Sequence, residues 1–116
     1  MSVEVGDTVA HLRRLEALRS ARGRARLALL EGLLPAARDI LRARGATAVY
    51  AFGSVATGRT GPRSDLDLAV VGLPPALYFD ALGELMRTLP CDVDLVRLED
   101  APESLRERVR AEGRTL

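Results

Sequence analysis

Asp65 and Asp67 are separated by one leucine and lead into an almost wholly apolar run, LAVVGL, residues 68–73. On an extended chain, side chains at i and i+2 point the same way. The two carboxylates therefore share a face, about 6 to 7 Å apart along the strand. Unpaired carboxylates this close repel one another and resist burial. A hard divalent cation removes that cost. Mg²⁺ takes oxygen ligands, uses one or two carboxylates, and completes its shell with water and substrate phosphate. A third carboxylate comes from DVDLVRL, residues 92–98, where Val93 and Leu95 face the core and Asp92 and Asp94 share the other side. The spacing leaves open which of these two joins the pair. Three carboxylates on neighbouring strands suit two metal ions and in-line transfer of a phosphoryl or nucleotidyl group. Taken alone, an Asp-x-Asp pair serves equally well as a turn cap beside a solvated strand edge, so its surroundings decide.

Those surroundings are suited to phosphate. Gly53-Ser54 closes the apolar run before the loop, and ten residues, including Gly58, Gly61 and Pro62, separate Ser54 from Asp65. Glycine lets the backbone approach a ligand closely. A helix start after it offers N–H groups to anionic oxygens, and the Ser54 hydroxyl adds a donor. All seventeen basic residues are Arg. Any cationic phosphate contact must therefore come from a guanidinium, with Arg59 and Arg63 as loop candidates.

Helices and strands must hold these groups. Residues 8–22 place Val9, Leu12, Leu15 and Leu18 at near-helical spacing with Arg between them, and Gly23 interrupts. Residues 24–44 read as a second helix with Leu27, Leu30, Leu34, Ala37 and Leu41 on one face, kinked or split at Pro35 and stopped at Gly45. Residues 47–52 and 66–71 read as strands, the second covered on both faces or nearly so. Residues 76–88 are helical, 92–98 form a third strand, and Asp100-Ala-Pro-Glu103 reads as a capping box before a helix ending at Gly113. The alternation predicts an α+β (α/β-like) fold, with a central mixed sheet of at least three strands and helices packed on it.

The bulk composition sets limits on function. At 116 residues, 47% apolar and 28% charged, the chain supports one domain with an ordinary polar surface. The reading divides it into a helical extension, 1–25, and a core, 26–116. A net charge of +1 excludes nucleic-acid or membrane binding by bulk charge. No apolar run reaches membrane-spanning length, and no signal peptide is visible. Cys91 is the only cysteine, which excludes an intrachain disulfide and fits a cytoplasmic setting. Cys91 reads as a small packed residue, His11 as structural or exposed, and Tyr50 and Phe52 as core. Residues 11–26 carry six Arg and one Glu, a pattern expected of a solvated helix face.

With these residues in place, the sequence resembles the minimal nucleotidyltransferase (MNT) family of the DNA polymerase β-like superfamily. The resemblance rests on FGS, ten residues, DLDL and a later VDLV, with the closing EGRTL, and covers roughly residues 26–116. It implies a polymerase β-like nucleotidyltransferase core, ATP as substrate and two Mg²⁺ ions. It implies Asp65, Asp67 and Asp94 as metal ligands and catalytic carboxylates. Gly53 and Ser54, with Ser64 and Arg59, would form the nucleotide-binding set. Relatives carry Ala-Arg-Gly after Gly-Ser-x, where this chain has Ala56-Thr57-Gly58 and then Arg59, so Arg59 would act from a shifted position. The resemblance also implies an antitoxin partnered with a HEPN-domain toxin, transferring AMP to a toxin tyrosine. The alternatives are an antitoxin that acts by binding alone and a small-molecule, aminoglycoside-type nucleotidyltransferase. No membrane or nucleic-acid partner is expected, and a homo-oligomer is left open.

Overall fold

The computed structural model describes residues 5–116, so the first four residues of the expected extension lie outside the described residues. Helix α1 (Val5–Ala43) leads into strand β1 (Ala48–Phe52), and a one-turn helix α2 (Ser54–Thr57) follows. Strand β2 (Leu66–Val71), a 3₁₀ turn and helix α3 (Tyr78–Thr88) come next. Strand β3 (Val93–Arg97), a second 3₁₀ turn, helix α4 (Glu103–Glu112) and the short strand β4 (Arg114–Thr115) complete the fold.

The strands form one mixed sheet in the order β3-β2-β1-β4. β1 runs antiparallel to β2 and β4, and β2 runs parallel to β3 through the α3 crossover. Alternation sorts the side chains. Val49, Ala51, Leu66, Leu68, Val70 and Leu95 face the larger core, packed against Leu30, Leu34, Ala37 and Leu41 of α1 and Ala81 and Leu85 of α3. Each leucine or valine among them contributes roughly 1.5–3 kcal/mol on burial. The opposite face carries Phe52 and Ala69 beneath Val109 of α4, with Tyr50, Val96 and Leu105 beside them. β4 has no counterpart among the expected elements: two residues with no apolar pattern pair with Tyr50 and Ala51, and Leu116 N–H donates to the Val49 carbonyl at 2.9 Å.

Three local expectations need correction. The break at Gly23 does not occur: α1 is a single helix of 39 residues. Gly23 is instead a contact point, where a Cβ would come within 2.3 Å of the Thr60 carbonyl oxygen, so only glycine lets the loop backbone lie against the helix. Nor is the helix split at Pro35. Pro35 is exposed, and Leu34 and Ala37 on either side of it pack into the core; that packing holds the helical path despite the missing backbone donor. Finally, Asp100 does not cap α4. It lies in the 3₁₀ turn Leu98–Asp100, its carboxylate pairs with Arg97, and Pro102 occupies the N-cap without a side-chain bond.

The first half of α1 leaves the body of the protein. Residues 6–22 are exposed throughout. The radius of gyration is 18.1 Å and the longest dimension 66 Å, against a radius of about 13 Å for a compact chain of this length. Among the described residues no helix is long and apolar enough to cross a membrane.

Candidate active site

The candidate site lies on the α4 face, where β1 ends and β2 and β3 begin. The last residue of β1, Phe52, pairs with Asp67. On the other side, Asp67 is in parallel register with Asp94 of β3, so the two carboxylates stand on adjacent strands about 4.8 Å apart in backbone spacing. Asp65 precedes β2 on the exposed side. Asp67 is half-buried, while Asp65 and Asp94 are exposed.

The electrostatics follow from this arrangement. Burial holds the Asp67 carboxyl above the usual carboxylate range, and the Asp94 and then the Asp65 charges push it further. Arg108 of α4 acts in the opposite direction. Burial and the Asp94 charge also raise the Tyr78 phenol, whose O–H donates to the Leu95 carbonyl at 2.5 Å. Register separates Asp94 from Asp92: Asp94 stands beside Asp67, whereas Asp92 precedes β3 and its carbonyl accepts the Leu66 N–H. Nothing in the residue pattern singled out Arg108. Three arginines punctuate α4, and only the fold separates them: Arg106 donates to the Leu98 and Glu99 carbonyls, Arg110 pairs with Glu103, and Arg108 acts on Asp67.

Gly53 explains how Asp67 fits. Its φ of +67° with ψ of −144° is a conformation open essentially to glycine alone. A Cβ at Gly53 would lie 2.3 Å from Asp67 Oδ2 and 3.2 Å from its Cγ. The absent side chain thus makes the space that the carboxylate occupies. Ser54 follows as the first residue of α2; the Ala56 and Thr57 N–H groups donate to the Gly53 carbonyl, which leaves those of Ser54 and Val55 without a partner in the turn. Arg59 is exposed, just beyond the left-handed Gly58.

The loop from Gly58 to Asp65 is built from its own residues. The Gly61 N–H donates to Ser64 Oγ at 2.9 Å, and Arg26 Nε donates to the Ser64 carbonyl at 2.9 Å. Thr60 Oγ1 donates to the Ser54 carbonyl at 3.3 Å. Ser64 thus shapes the approach to Asp65 and ties it to α1. Of the remaining candidates, His11 is exposed and distant in the chain, and Tyr50 and Phe52 are packed under α4. Cys91 is partly packed against the main core, where burial raises its thiol.

Among the described residues no three His, Cys, Asp or Glu side chains converge tightly enough to cage a metal ion unaided. The donor set still fits Mg²⁺, which rarely takes an all-protein cage and relies on one or two carboxylates plus water and phosphate. Asp67 and Asp94 on adjacent strands, with Asp65 beside them, supply carboxylates of that kind, and the mutual repulsion raising Asp67 is what a cation would relieve.

Comparison with known proteins identifies the fold. Residues 37–116 match the family described as Polymerase beta, Nucleotidyltransferase. No curated protein sequence matches significantly. Among solved structures, the chain resembles a toxin–antitoxin with AMP-PNP at 30% identity and a TM-score of 0.59, covering 66% of each chain. It resembles a point mutant of the toxin–antitoxin MntA-HpeT at 31% identity and a TM-score of 0.58, covering 67% of this chain and 66% of that one. It also resembles a complex of tri-AMPylated Shewanella oneidensis HEPN toxin with MNT antitoxin, at 27% identity and a TM-score of 0.54, covering 77% of this chain and 70% of that one. The first two likenesses span just under two-thirds of the other chain. The mixed four-stranded sheet, its covering helices and the match over 37–116 have one meaning: this chain belongs to the Polymerase beta, Nucleotidyltransferase family.

Proposed function

We propose that this chain is an MNT-type antitoxin that transfers AMP from ATP to a hydroxyl group, a tyrosine of a partner HEPN toxin, with release of pyrophosphate. The observation that carries the reading is the Asp67 carboxylate, held half-buried against Asp94 and Asp65 in a space that Gly53 leaves open. Such a charge concentration costs folding free energy and gains a use when cations and phosphates enter. The relatives support the substrate and the partner: one is a toxin–antitoxin with AMP-PNP, another holds an AMPylated HEPN toxin.

Each residue then has a role. Asp65, Asp67 and Asp94 would hold Mg²⁺. When bound, Mg²⁺ neutralises charge developing on the transferred group and the leaving pyrophosphate. Gly53 and the opening N–H groups of α2 would meet the β- and γ-phosphates, with the Ser54 hydroxyl as a further donor. Asp94, exposed at the edge of the site, would accept the proton from the acceptor hydroxyl. Ser64 keeps the loop shaped so that Asp65 enters β2 in the right place, and Arg59 would reach the nucleotide phosphates from outside α2. The setting would be cytoplasmic.

The test is label transfer from α-³²P-ATP with Mg²⁺ to a HEPN-domain toxin co-expressed with this chain, with wild type and Asp65→Ala/Asp67→Ala compared. The expected result is a labelled partner in the first reaction and none in the second. A stable complex that carries no label with wild type refutes transfer and leaves an antitoxin that acts by occlusion. Label on an aminoglycoside without any partner protein refutes the protein acceptor.

A further inference from the structure

The exposed half of α1 has no role in the site described above, yet its composition is far from neutral. Residues 6–22, about 25 Å of helix, stand free of the body. Along them run Leu12, Leu15 and Leu18, 53%, 46% and 53% exposed, which continue an i, i+3 row that begins at Val9. Leu12, Leu15 and Leu18 line a shallow groove together with Glu16, Arg19 and Arg22, so its polar rim carries two positive charges against one negative. A second cleft continues from Arg19 and Arg22 to Gly61, Arg63 and Ser64, the residues that lead into Asp65. Gly23 against Thr60, and Arg26 on the Ser64 carbonyl, fasten the arm to this loop.

We infer that this arm docks the acceptor protein, through a helical surface on that partner carrying an apolar row flanked by Asp and Glu. The inference rests on the proposed transfer to a partner protein and names the surface that receives it. Two features select this occupant over a second copy of the chain. Residues 6–26 hold six Arg against Asp7 and Glu16, although the whole chain nets only +1. Two such arms would repel, whereas an acidic partner is attracted. The apolar residues also recur every third position, 9, 12, 15 and 18. A two-stranded coiled coil needs a repeat averaging 3.5. An i, i+3 row winds across the helix, and it fits the groove of a helix that crosses the arm. A partner seated there lies against the loop that ends at Asp65, so docking and delivery of the acceptor hydroxyl share one surface.

The test measures binding of the HEPN-domain toxin used in the transfer assay to the full chain by calorimetry at two salt concentrations. Two variants are compared with wild type: Leu12→Glu/Leu15→Glu/Leu18→Glu and Arg13→Glu/Arg19→Glu/Arg22→Glu. All six positions are exposed, so melting temperatures should match wild type and exclude a folding defect. The leucine variant should lose affinity by about 100-fold or more. The arginine variant should lose about 10-fold, with a flatter salt dependence. Wild-type affinity in both variants overturns the docking surface, whether or not AMP transfer occurs. So does failure of the wild-type chain to bind. Self-association of wild type that the leucine variant abolishes assigns the arm to a second copy, and steep salt-dependent binding of a single-stranded RNA probe assigns it to nucleic acid; either overturns the inference. Asp65→Ala/Asp67→Ala, run in parallel, should bind normally. If wild type binds through the arm but transfers no AMP, the functional reading fails while docking stands.

Discussion

Replacing Gly53 with alanine is the most informative perturbation of this site, because its cost separates into two parts of different origin. The first is backbone strain: φ of +67° and ψ of −144° lie outside the range of an alanine, at roughly 1–3 kcal/mol. The second is contact. The new Cβ would sit 2.3 Å from Asp67 Oδ2, and the carboxylate must swing away. Forcing it off its rotamer adds roughly 0.5–1.5 kcal/mol. The sum is about 1.5–4.5 kcal/mol. For 116 residues the unfolding entropy near the midpoint implies about 4 °C per kcal/mol, so Gly53→Ala should lower Tm by about 6–18 °C. Asp67→Ala removes Oδ2 and Cγ and leaves only Asp67 Cβ, 3.5 Å from the added methyl, an ordinary contact. In that background Gly53→Ala should retain the strain and lose the clash, so its Tm penalty should shrink by about 2–6 °C. The assay is thermal unfolding by circular dichroism, without metal, on the four proteins of the cycle. An equal penalty in both backgrounds would refute the claim that Gly53 makes room for the carboxylate, and a penalty below about 2 °C would refute the strain as well.

Three further outcomes follow from the same geometry. Asp67→Asn should stabilise the metal-free protein at pH 7. The raised carboxyl binds its proton more tightly when folded than when unfolded, so the ionised group weakens folding above its folded value, and the gain should fade as pH falls through that raised value and be gone below about 4. Because Asp67 is half-exposed, the gain should be about 1 kcal/mol or less, a rise of up to about 4 °C in a melt. Millimolar Mg²⁺ should raise the melting temperature of wild type and leave Asp65→Ala/Asp67→Ala unmoved; an equal response in both would remove the carboxylates as ligands. Gly23→Ala should cost about 1–3 kcal/mol in chemical denaturation, because its methyl meets the Thr60 backbone, whereas Gly6→Ala, in open space, should be neutral or stabilising.

Much of the sheet was legible in the sequence, and the reasons are local. β2 alternates Asp with Leu and then turns apolar, and the period of two assigns Leu66, Leu68 and Val70 to one face and Asp67 to the other. The helical period of residues 24–44 likewise identifies Leu30, Leu34, Ala37 and Leu41. What could not be read depended on remote contacts. Gly23 and Pro35 look like breaks because propensity judges each residue in isolation; α1 continues because a loop presses on one and a core grips the neighbours of the other. β4 has no pattern of its own and exists because β1 offers an edge. In the candidate site, the carboxylate spacing was visible, but placing Asp94 rather than Asp92 beside Asp67 required the parallel register with β2, and Arg108 required the placement of α4.

The repulsion around Asp67 also sets a direction for mutational drift. Substitutions that remove this charge run downhill in folding free energy, so chance alone erodes it. A chain that acted only by covering its partner would gain stability by losing the residue and forfeit nothing. A charge kept at this position is therefore the mark of a chain that uses it for chemistry.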